Sequence, residues 1–572
     1  MDKNWKILRP NEAEVRKIRD ALNCSPVTAA ILINRNIVSE KDAFVFFNAS
    51  IADIRPPFAI KDMDIAVRRI HTAVIRGEKI LIFGDYDVDG ITSAAVLSEF
   101  LTYIGADVSC YIPHRVKEGY SLQTGHIRNY AAAKGINLII TVDCGSKSHD
   151  AVSLAKAAGI DVIISDHHAI DGSMPEAVAV VNPKREDCKA GFDNLAGVGV
   201  VFCLLICLRK YLRDMNFWQN MPEPNLKKFC DLVALGTVAD VVPLTAENRI
   251  LSKTGLELIN SGERTGIRAL VKACGIGENS PAISDDIAFR LAPRLNAAGR
   301  VDHALTALSL LTTDDMETAR RFARTLNLMN QQRQSLEREI FEEILEYLKQ
   351  NPDILRQYSL VLSDPGWHEG ILGIVASKIV ERYYRPVILI GTGNGMGKGS
   401  GRSIPGIDIN AGLVACEKDL EFFGGHAMAA GLTIKTDNIP RFRKNFENVI
   451  RNTTGLQRFL REIPIDYEIG FDEISDELTD ELKSLEPFGE GNPEPLFMAR
   501  NIMVSSSKIV GENHRRMILR QAEGRNGRAV NAIQFNIDRD RPLKDRFDRM
   551  AFRLRRNHWN GKSTLQIIVE ET

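Results

Sequence analysis

Acidic residues stand directly after several short apolar runs of this chain, and this arrangement constrains its fold more than any other feature. Short apolar runs of this kind stand at 79–83, 108–112, 138–142, 162–165 and 177–181, and acids follow the first, third and fourth of them. Short apolar runs that alternate with helix-like segments indicate β-α units, in which helices cover a parallel sheet. The carboxyl ends of such strands meet at one edge of the sheet, where ligands bind. The sequence therefore predicts an α/β fold that gathers its acids in one crevice.

The candidate side chains of this crevice come from four separate segments. They are Asp85, Asp87, Asp89, Asp143, Asp166, His167, His168 and Asp240. The first three have a spacing of two, which in extended backbone places their side chains on one face. Asp240 ends the apolar run 233–239, and we group it with the acids that follow the strands.

Several carboxylates in one crevice repel each other and raise each other's pKa values unless cations neutralise them. Carboxylate oxygens with one or two imidazoles and no thiolate suit Mn²⁺ or Mg²⁺. The acids outnumber those that one Mg²⁺ recruits, which favours two ions. Two metals about 3.5–4 Å apart clamp the attacking and leaving oxygens of a phosphodiester displacement and lower the pKa of a water.

Each acid taken singly has a simpler interpretation. A lone Asp after a strand is usually a turn residue or a helix N-cap, and Asp143 alone would be one. Residues 85–90 resemble the start of a calcium-binding EF-hand loop. That loop needs a Glu at its twelfth position, where Val96 stands, and a helix before it, where the sequence predicts a strand. All these segments ending in acids by chance would be an unusual coincidence.

The charge is unevenly distributed along the 572 residues, although the formal net charge is −1. Residues 500–572 contain 16 Lys and Arg against 8 Asp and Glu. A basic C-terminal region on an acidic body is either a binding surface for a polyanion or a solvated basic face.

Other features exclude classes of protein. The nine cysteines include no Cys-x-x-Cys pair, which argues against a disulfide framework and a zinc ribbon. Residues 1–16 lack the apolar segment of a signal peptide, and no uninterrupted apolar stretch has 18 residues. We therefore expect a cytoplasmic protein.

The chain is too long for one hydrophobic core, and we expect several folding units. The predicted units are a helical lead-in (1–50), a catalytic α/β domain (51–255), a helical region (256–351), a second α/β domain (352–455) and a linker with a small β-barrel (456–572). Residues 312–351 contain no Gly or Pro, which predicts a long helix that connects domains. The segment 487–495 is rich in Pro and Gly, as linkers are.

The motifs together resemble those of the DHH phosphoesterases, and specifically the RecJ type. Four segments, 85–90, 142–145, 165–168 and 238–244, are similar to the four DHH motifs in order. The segments 292–300, 366–375, 400–403, 424–426 and 487–497 are similar to RecJ segments of the helical region, of the partner domain DHHA1 and of the lead into an OB-fold. The resemblance implies a parallel-sheet DHH domain joined by a long helix to an α/β DHHA1 domain, with a C-terminal OB-like barrel.

The resemblance also implies roles for the residues of the crevice. The metal ligands would be Asp87, Asp89, Asp143, His167 and Asp240, with Asp85 beside them. His168 would face the scissile phosphate and stabilise charge on its oxygens. Asp166 would orient an imidazole.

A second set of residues would hold the substrate. The resemblance assigns the 5′-terminal phosphate to Arg115, Ser400 and Arg402, joined by Arg294 or Arg300. Tyr120 would stack on a base, and His426 would approach the substrate backbone. As alternatives, the last two arginines could form structural ion pairs, and Tyr120 could simply pack.

The sequence departs from the RecJ pattern at two places. Ser121 stands where the family usually has Gly, and residues 146–148 differ from the commoner sequence after the second motif. Neither place is a predicted ligand, so only loop geometry near the sheet edge is affected.

The function that the resemblance implies is 5′→3′ exonuclease action on single-stranded DNA in recombination and repair. A single-strand-binding protein and a helicase would be its partners, and it would act as a monomer. One alternative is a DHH phosphoesterase for short oligonucleotides or cyclic dinucleotides. Another is an inactive DHH scaffold that only binds DNA.

Overall fold

The computed structural model describes residues 3–170, 172–276, 281–454, 459–522, 528–538, 542–559 and 562–572. The chain forms two compact units. The smaller unit comprises Met1–Asn4, Ile112–Tyr120 and Pro293–Glu462, and the larger unit comprises Trp5–Tyr111, Ser121–Ala292 and Ile463–Thr572. No helix within the described residues combines the length and the apolar content needed to cross a membrane.

The N-terminal segment is mostly helical and also contains one strand. Its elements are β1 (Lys3–Ile7), α1 (Glu12–Leu22), α2 (Pro26–Asn34) and α3 (Glu40–Asn48). Helix α2 begins after Ser25, whose side chain accepts a hydrogen bond from the Thr28 N–H. Residues 27–33 of this helix are all buried, because α2 lies in one hydrophobic core with Phe497 and Phe552 of the C-terminal region.

The middle of the larger unit is an open parallel sheet with helices. Its elements are α4 (Met63–Arg76), β2 (Lys79–Gly84), α5 (Val88–Tyr103), β3 (Asp107–Tyr111), α6 (Thr124–His126), β4 (Leu138–Val142), α7 (His149–Ala157), β5 (Asp161–Ser165), β6 (Ala179–Val181), α8 (Gly197–Asp214) and α9 (Cys230–Ala239). The strand order is β3-β2-β4-β5-β6, and every pairing is parallel. All five residues of β4 are buried, as expected for a strand covered on both faces. The predicted sheet is therefore confirmed.

The strands of this sheet end in register. The last residues of β2, β4, β5 and β6 are paired with one another across the sheet. The residue that follows each of these strands therefore emerges at the same edge, which is the arrangement that the sequence predicted for the acids.

A helical region follows. Its elements are α10 (Ala246–Ser261), α11 (Thr265–Ala273), α12 (Ser284–Asp286), α13 (Ala292–Val301), α14 (Leu305–Thr312) and α15 (Met316–Gln350). Helix α15 has 35 residues and begins after Asp315, whose side chain accepts a hydrogen bond from the Thr318 N–H. The predicted long helix exists but starts four residues later than Thr312, because α14 ends there.

The smaller unit contains a mixed sheet. Its elements after α15 are β7 (Leu360–Asp364), α16 (Leu372–Tyr383), β8 (Val387–Gly393), β9 (Met396–Arg402), α17 (Ile409–Val414), β10 (Phe422–His426), β11 (Ala429–Lys435) and α18 (Ile439–Thr454). The strand order is β10-β11-β9-β8-β7, and only β7 and β8 are parallel. Helices α15 and α16 share one hydrophobic core with β7 and β8, and α17 and α18 share another with β8 and β11.

The C-terminal region forms a closed five-stranded barrel, as predicted. Its elements are β12 (Arg461–Ile465), β13 (Tyr467–Glu468), α19 (Asp476–Ser484), β14 (Phe497–Val510), β15 (His514–Gln521), β16 (Ala529–Gln534), β17 (Arg546–Trp559) and β18 (Lys562–Glu571). The five strands of the barrel are β14, β15, β16, β18 and β17 in spatial order. The pairing of β14 with both β15 and β17 closes it. The Pro/Gly-rich segment before the barrel packs against the residues that follow α9 within the same unit, since the Leu244 N–H donates to the Glu490 carbonyl at 2.7 Å.

Candidate metal centre and phosphate-binding site

Three of the predicted acids emerge side by side at the carboxyl edge of the parallel sheet. Asp85, Asp143 and Asp166 each follow a strand, and each donates its backbone N–H to the carbonyl at the end of the next strand, at 3.3, 3.0 and 3.1 Å. All three side chains are buried. Asp143 has a φ of +60°, a strained conformation for a residue other than Gly and one that occurs at functional sites.

The backbone between Asp85 and Asp89 is not extended throughout, which corrects the sequence interpretation. Helix α5 begins at Val88, so Asp87 is its N-cap and Asp89 lies in its first turn. The Asp87 carboxylate accepts a hydrogen bond from the Gly90 N–H at 3.1 Å. A Cβ on Gly90 would lie 2.5 Å from the Asp85 carbonyl oxygen, so only glycine allows this tight turn. The three acids nevertheless converge.

Helix α8 supports Asp89 in a way that the sequence analysis missed. The Gly197 and Val198 N–H groups at the start of α8 donate to the Asp89 carboxylate at 2.6 and 2.8 Å. The positive end of the helix dipole favours a negative charge there. A Cβ on Gly197 would lie 2.7 Å from the Asp143 Oδ1. Glycine therefore lets the helix approach both acids, and no local sequence pattern signals this contact.

Asp240 is delivered by a helix and not by a strand, which corrects its grouping with the strand ends. The run before it forms α9, and Asp240 is the C-cap of that helix. A Cβ on Gly236 of α9 would lie 2.4 Å from the Thr92 Oγ1 of α5. The two helices thus pack closely enough to bring Asp240 to the same edge as Asp89.

His167 lies at the centre of the cluster. Its Nε2 is 3.1 Å from the Asp143 Oδ1, 3.5 Å from the Asp240 Oδ2 and 3.7 Å from the Asp89 Oδ2. Its side chain is almost fully buried. Three predicted ligands from three other segments therefore lie within hydrogen-bonding range of one imidazole nitrogen of His167 or close to it.

The cluster contains groups of side chains whose ligand atoms lie within 4.8 Å of one another. One group is Asp85, Asp87 and Asp143; a second is Asp89, His167 and Asp240; a third is Asp143, His167 and His168. The first two groups share no residue, so the cluster offers enough ligands for two neighbouring ions. His168 is close enough to serve as a ligand as well.

The electrostatics of the acids fit a cation site. Burial and the neighbouring carboxylates of Asp89 and Asp87 raise the pKa of Asp240 to about 9. Burial and Asp87 raise the pKa of Asp89 to about 7, and burial with Asp89 raises that of Asp143 well above its usual value. Burial and mutual repulsion therefore disfavour the charged forms of these carboxylates, and bound divalent ions would relieve that repulsion.

The two adjacent histidines differ in charge. Burial and the neighbouring His168 lower the pKa of His167 to about 3, so its ring is neutral, as a metal ligand must be. Burial opposes protonation of His168 too, but its hydrogen bond with Asp166 prevails and raises the pKa to about 9. The His168 Nδ1 lies 2.8 Å from the Asp166 Oδ1. Burial acts to raise the pKa of Asp166, but the pKa is lowered overall, and this hydrogen bond with His168 is one of the causes.

The smaller unit brings together three of the predicted substrate-binding residues. Ser400 and Arg402 are two residues apart on β9, and His426 ends β10. Arg402 and His426 are both paired with Ala429 of β11, so the three side chains lie on one face of the sheet. Ser400 is paired with Gly431, which is paired in turn with Gly424. These glycines leave the face beside Ser400 bare.

Arg402 is held in place and lies near another predicted arginine. Its Nη1 donates to the Ser400 Oγ at 3.2 Å and to the Gly401 carbonyl at 2.7 Å. Burial and the neighbouring positive charge of Arg115 lower its pKa. Two guanidiniums that repel each other beside a hydroxyl suit a polyanion such as a terminal phosphate. A Cβ on Gly373, in the first turn of α16, would lie 2.7 Å from the Arg402 Nη2.

The remaining predicted residues of this unit have other contacts. The Arg294 Nε donates to the Asn327 Oδ1 at 3.0 Å, and the Arg300 Nη1 donates to the Gly370 carbonyl at 3.2 Å. Tyr120 is 40 % exposed, so it is not a core residue. The roles of these three side chains stay predictions.

The two departures from the RecJ pattern contact each other. Ser121 has a φ of +68°, a left-handed conformation that favours the glycine usually found there. Its Oγ accepts a hydrogen bond from the Gly145 N–H at 3.1 Å and lies 2.9 Å from the Ser148 Oγ. The serine at 121 and the altered loop after Asp143 are therefore parts of one local arrangement.

Comparisons with known protein families cover most of the chain. Residues 79–237 match the DHH family N-terminal domain, residues 356–452 match the DHHA1 domain, and residues 465–571 match the RecJ OB domain. The first range contains seven of the eight predicted side chains of the cluster. The second contains Ser400, Arg402 and His426.

The relatives are RecJ proteins over nearly the whole chain. The single-stranded-DNA-specific exonuclease RecJ of Bacillus subtilis is 35% identical, with 99% of this chain and 70% of the relative covered. That of Salmonella typhimurium is 36% identical, with 96% and 95% covered. The crystal structure of RecJ in complex with Mn²⁺ from Thermus thermophilus has a TM-score of 0.84 and 30% identity, covering 99% of this chain and 79% of that one. A structure of RecJ in complex with Mg²⁺ from the same organism has a TM-score of 0.77 and 29% identity, with 99% of this chain and 78% of that one covered. This chain belongs to the RecJ family of DHH phosphoesterases.

Proposed function

We propose that this chain is a divalent-metal-dependent exonuclease that hydrolyses single-stranded DNA from its 5′ end. One observation carries the proposal: acids from three other segments, Asp89, Asp143 and Asp240, meet around His167 at the carboxyl edge of the parallel sheet. The names of the relatives support the choice of substrate, and the Mn²⁺- and Mg²⁺-bound RecJ structures support the choice of metals.

The cluster divides into two ligand sets. Asp85, Asp87 and Asp143 would hold one ion, and Asp89, His167 and Asp240 would hold the other. When bound, the ions would lower the pKa of a water and neutralise charge on the phosphoryl oxygens. The protein's own part is to keep His167 neutral and to hold the acids at fixed places.

His168 would donate to a phosphoryl oxygen of the scissile group. Its Nδ1 is engaged by Asp166, and its raised pKa keeps the ring protonated at neutral pH. A cationic donor near developing negative charge stabilises the transition state more than the ground state. Asp166 would orient the ring.

The smaller unit would set the 5′→3′ direction of degradation. Arg402, Ser400 and Arg115 would bind the 5′-terminal phosphate, with help from Arg294 or Arg300. Tyr120 would stack on a base, and His426 would lie along the substrate backbone. Receptors for a terminal phosphate favour strands that begin with one, which explains the direction of degradation.

The cellular setting follows from the substrate. Single strands with a free 5′ end arise in recombination and repair, where a helicase exposes them and a single-strand-binding protein covers them. We expect both as partners and a monomeric enzyme. The basic C-terminal barrel suits a strand bound through its backbone.

A single assay tests the proposal. A 5′-phosphorylated single strand with a 3′ fluorophore should shorten stepwise from the 5′ end with Mn²⁺ and stay intact with a chelator. A blunt duplex of the same sequence should resist. Equal or faster turnover of dinucleotides or cyclic dinucleotides would instead favour a small-substrate phosphoesterase, and DNA binding without any turnover would indicate an inactive scaffold.

A further inference from the structure

One residue has the same place in the parallel sheet as three acids of the metal centre but carries no charge. Asp85, Asp143 and Asp166 follow β2, β4 and β5, whose last residues are paired with one another and with the last residue of β6. Asn182 is the residue that follows β6. It is fully buried, with 0 % of its surface exposed.

The amide of Asn182 is fully engaged. Its Nδ2 donates to the His168 carbonyl at 2.9 Å and to the Ser146 Oγ at 3.0 Å. Its Oδ1 accepts a hydrogen bond from the Lys184 N–H at 2.8 Å. An asparagine side chain has two N–H donors and one carbonyl acceptor. A carboxylate has no donor and a hydroxyl has one, so an amide is the group that satisfies both acceptors.

These contacts close a ring of hydrogen bonds around His168. The Ser146 N–H donates to the Asp166 Oδ2 at 3.0 Å, and the Asp166 Oδ1 lies 2.8 Å from the His168 Nδ1. The ring runs from the His168 carbonyl through Asn182, Ser146 and Asp166 back to the imidazole. His168 is thus held at its backbone and at its side chain by groups that are connected to each other.

We propose that Asn182 is a positioning residue for the hydrolysis, which fixes the backbone of His168 so that its imidazole meets the scissile phosphate. This inference rests on the proposed function. Buried hydrogen-bonded networks hold one arrangement when every member is satisfied, and loss of one member loosens the rest. The hydrogen bonds of Asn182 go to His168, Ser146 and Lys184, so its removal should disturb the reaction more than metal binding.

The test is the Asn182→Leu variant of the full chain, which removes the three hydrogen bonds at similar volume and without a new charge. With Mn²⁺ and a 5′-phosphorylated single strand, kcat should fall about 10–100-fold, the range seen for partners that orient functional side chains. The KM for DNA should change by less than about threefold, and so should the Mn²⁺ affinity, titrated directly in the absence of DNA. Both changes are smaller than the loss expected in kcat.

Asn492 provides a matched control, because it is also a buried amide with two donated hydrogen bonds. Its Nδ2 donates to the Leu485 carbonyl at 2.9 Å and to the Pro487 carbonyl at 2.8 Å. Asn492→Leu should lower the midpoint of thermal unfolding as much as Asn182→Leu does, with kcat unchanged. A smaller change, Ser146→Ala, removes one acceptor of the ring and keeps the inference testable if Asn182→Leu does not fold.

Ser146→Ala should lower kcat less than Asn182→Leu does, and the double variant should lose no more than Asn182→Leu alone, since both changes open one ring. Wild-type kcat in Asn182→Leu and Ser146→Ala would overturn the inference while the proposed function stands. Loss of Mn²⁺ binding in either variant would overturn it too, because Asn182 would then shape the metal centre. Absence of turnover by the wild-type protein would remove the proposed function and this inference with it.

Discussion

The candidate metal centre of the larger unit and the candidate phosphate-binding face of the smaller unit (the phosphate face) are built by opposite means. In the larger unit, negative side chains leave the ends of parallel strands and the ends of helices, and they converge in a buried cluster. In the smaller unit, Ser400, Arg402 and His426 project from the face of a mostly antiparallel sheet, beside two glycines. One site depends on where loops begin, and the other on which residues stand opposite each other.

The two sites differ in what relieves the repulsion between their like-charged side chains. The acids of the metal centre are buried and repel each other, so their pKa values are raised and the cluster favours bound cations. Arg402 and Arg115 also repel each other, and under the proposed function the anion that relieves this repulsion is the terminal phosphate of the substrate. Under the proposed function, bound metal ions would stabilise the first site, whereas the second would be relieved only when DNA binds.

Asp143→Asn should break the first site and produce the largest effect. We expect a loss of turnover of about 10³-fold or more, which corresponds to about 4 kcal/mol of transition-state stabilisation. The same change should raise the midpoint of thermal unfolding of the metal-free protein, because it removes a buried charge that its neighbours oppose. Turnover on single-stranded DNA and a thermal melt in chelator check both results.

Asp231 offers the control for that variant. It is buried in the same unit and its pKa is also raised by burial, but its carboxylate is paired with Arg264 at 2.7 Å. Asp231→Asn should destabilise the protein, since it breaks this pair, while Mn²⁺ still raises the melting midpoint. Equal turnover in Asp143→Asn and the wild-type would contradict the assignment of the metal centre.

The pH dependence of metal binding sharpens the comparison. The folded-state pKa of Asp240 is about 9, above its unfolded value of about 3.9. Between these values the folded protein binds more protons than the unfolded chain, so the free energy of unfolding of the metal-free protein falls as the pH rises. His168, with a folded pKa of about 9, contributes in the same direction.

Mn²⁺ must displace the protons of the acids, so its affinity should rise about 100-fold from pH 6 to pH 8 if one proton is released on binding. Thermal melts at these pH values, with and without Mn²⁺, measure both trends: the metal-free midpoint should decline while the gain from Mn²⁺ grows. A gain from Mn²⁺ that does not depend on pH would show that the acids are already deprotonated in the folded protein.

The sequence predicted much of the metal centre for a physical reason. The place of a residue at the end of a short buried strand is a local property, so Asp85, Asp143 and Asp166 could be assigned to one edge in advance. Asp89 and Asp240 lie on helices, and their places depend on where α5 begins and α9 ends. The sequence analysis placed Asp89 on extended backbone and grouped Asp240 with the strand ends, and both placements were wrong. Asn182 also follows a predicted strand, but nothing in the local sequence marks a neutral amide as part of a metal centre.

The phosphate face left no comparable pattern in the sequence. Ser400 and Arg402 share a face by alternation, but their relation to His426 depends on the register of β9, β11 and β10. Register is a tertiary property, and only the resemblance to the RecJ type pointed to these residues. The contact between Ser121 and Ser148 was equally hidden, since 26 residues of chain separate them.

Arg402→Ala should break the second site while leaving the first intact. Loss of charged hydrogen bonds to a phosphate costs about 1.5–3 kcal/mol, so kcat/KM on 5′-phosphorylated strands should fall roughly 10–100-fold. Strands with a 5′-hydroxyl should be degraded nearly as before, and Mn²⁺ affinity should not change. Arg385 is the matched control, because it is a half-buried arginine of the same unit that donates to the Leu355 carbonyl at 2.8 Å. Equal losses on both kinds of strand would contradict the phosphate assignment.

Gly373→Ala should perturb the same site by shape alone and have the smallest effect. Its Cβ would lie 2.7 Å from the Arg402 Nη2 and 3.0 Å from the Ser400 Oγ, so the guanidinium must shift. Because the obstructed atom is the end of a flexible side chain, and because alanine is favoured over glycine in helices by about 0.5–1 kcal/mol, the fold should not suffer. We expect the preference for a 5′-phosphate over a 5′-hydroxyl to drop by about threefold to tenfold, less than for the loss of a whole charged contact. Gly393→Ala, whose Cβ would meet no atom within 4 Å, should leave the preference unchanged. A drop in both variants would show that the effect comes from the sheet and not from the position of Arg402.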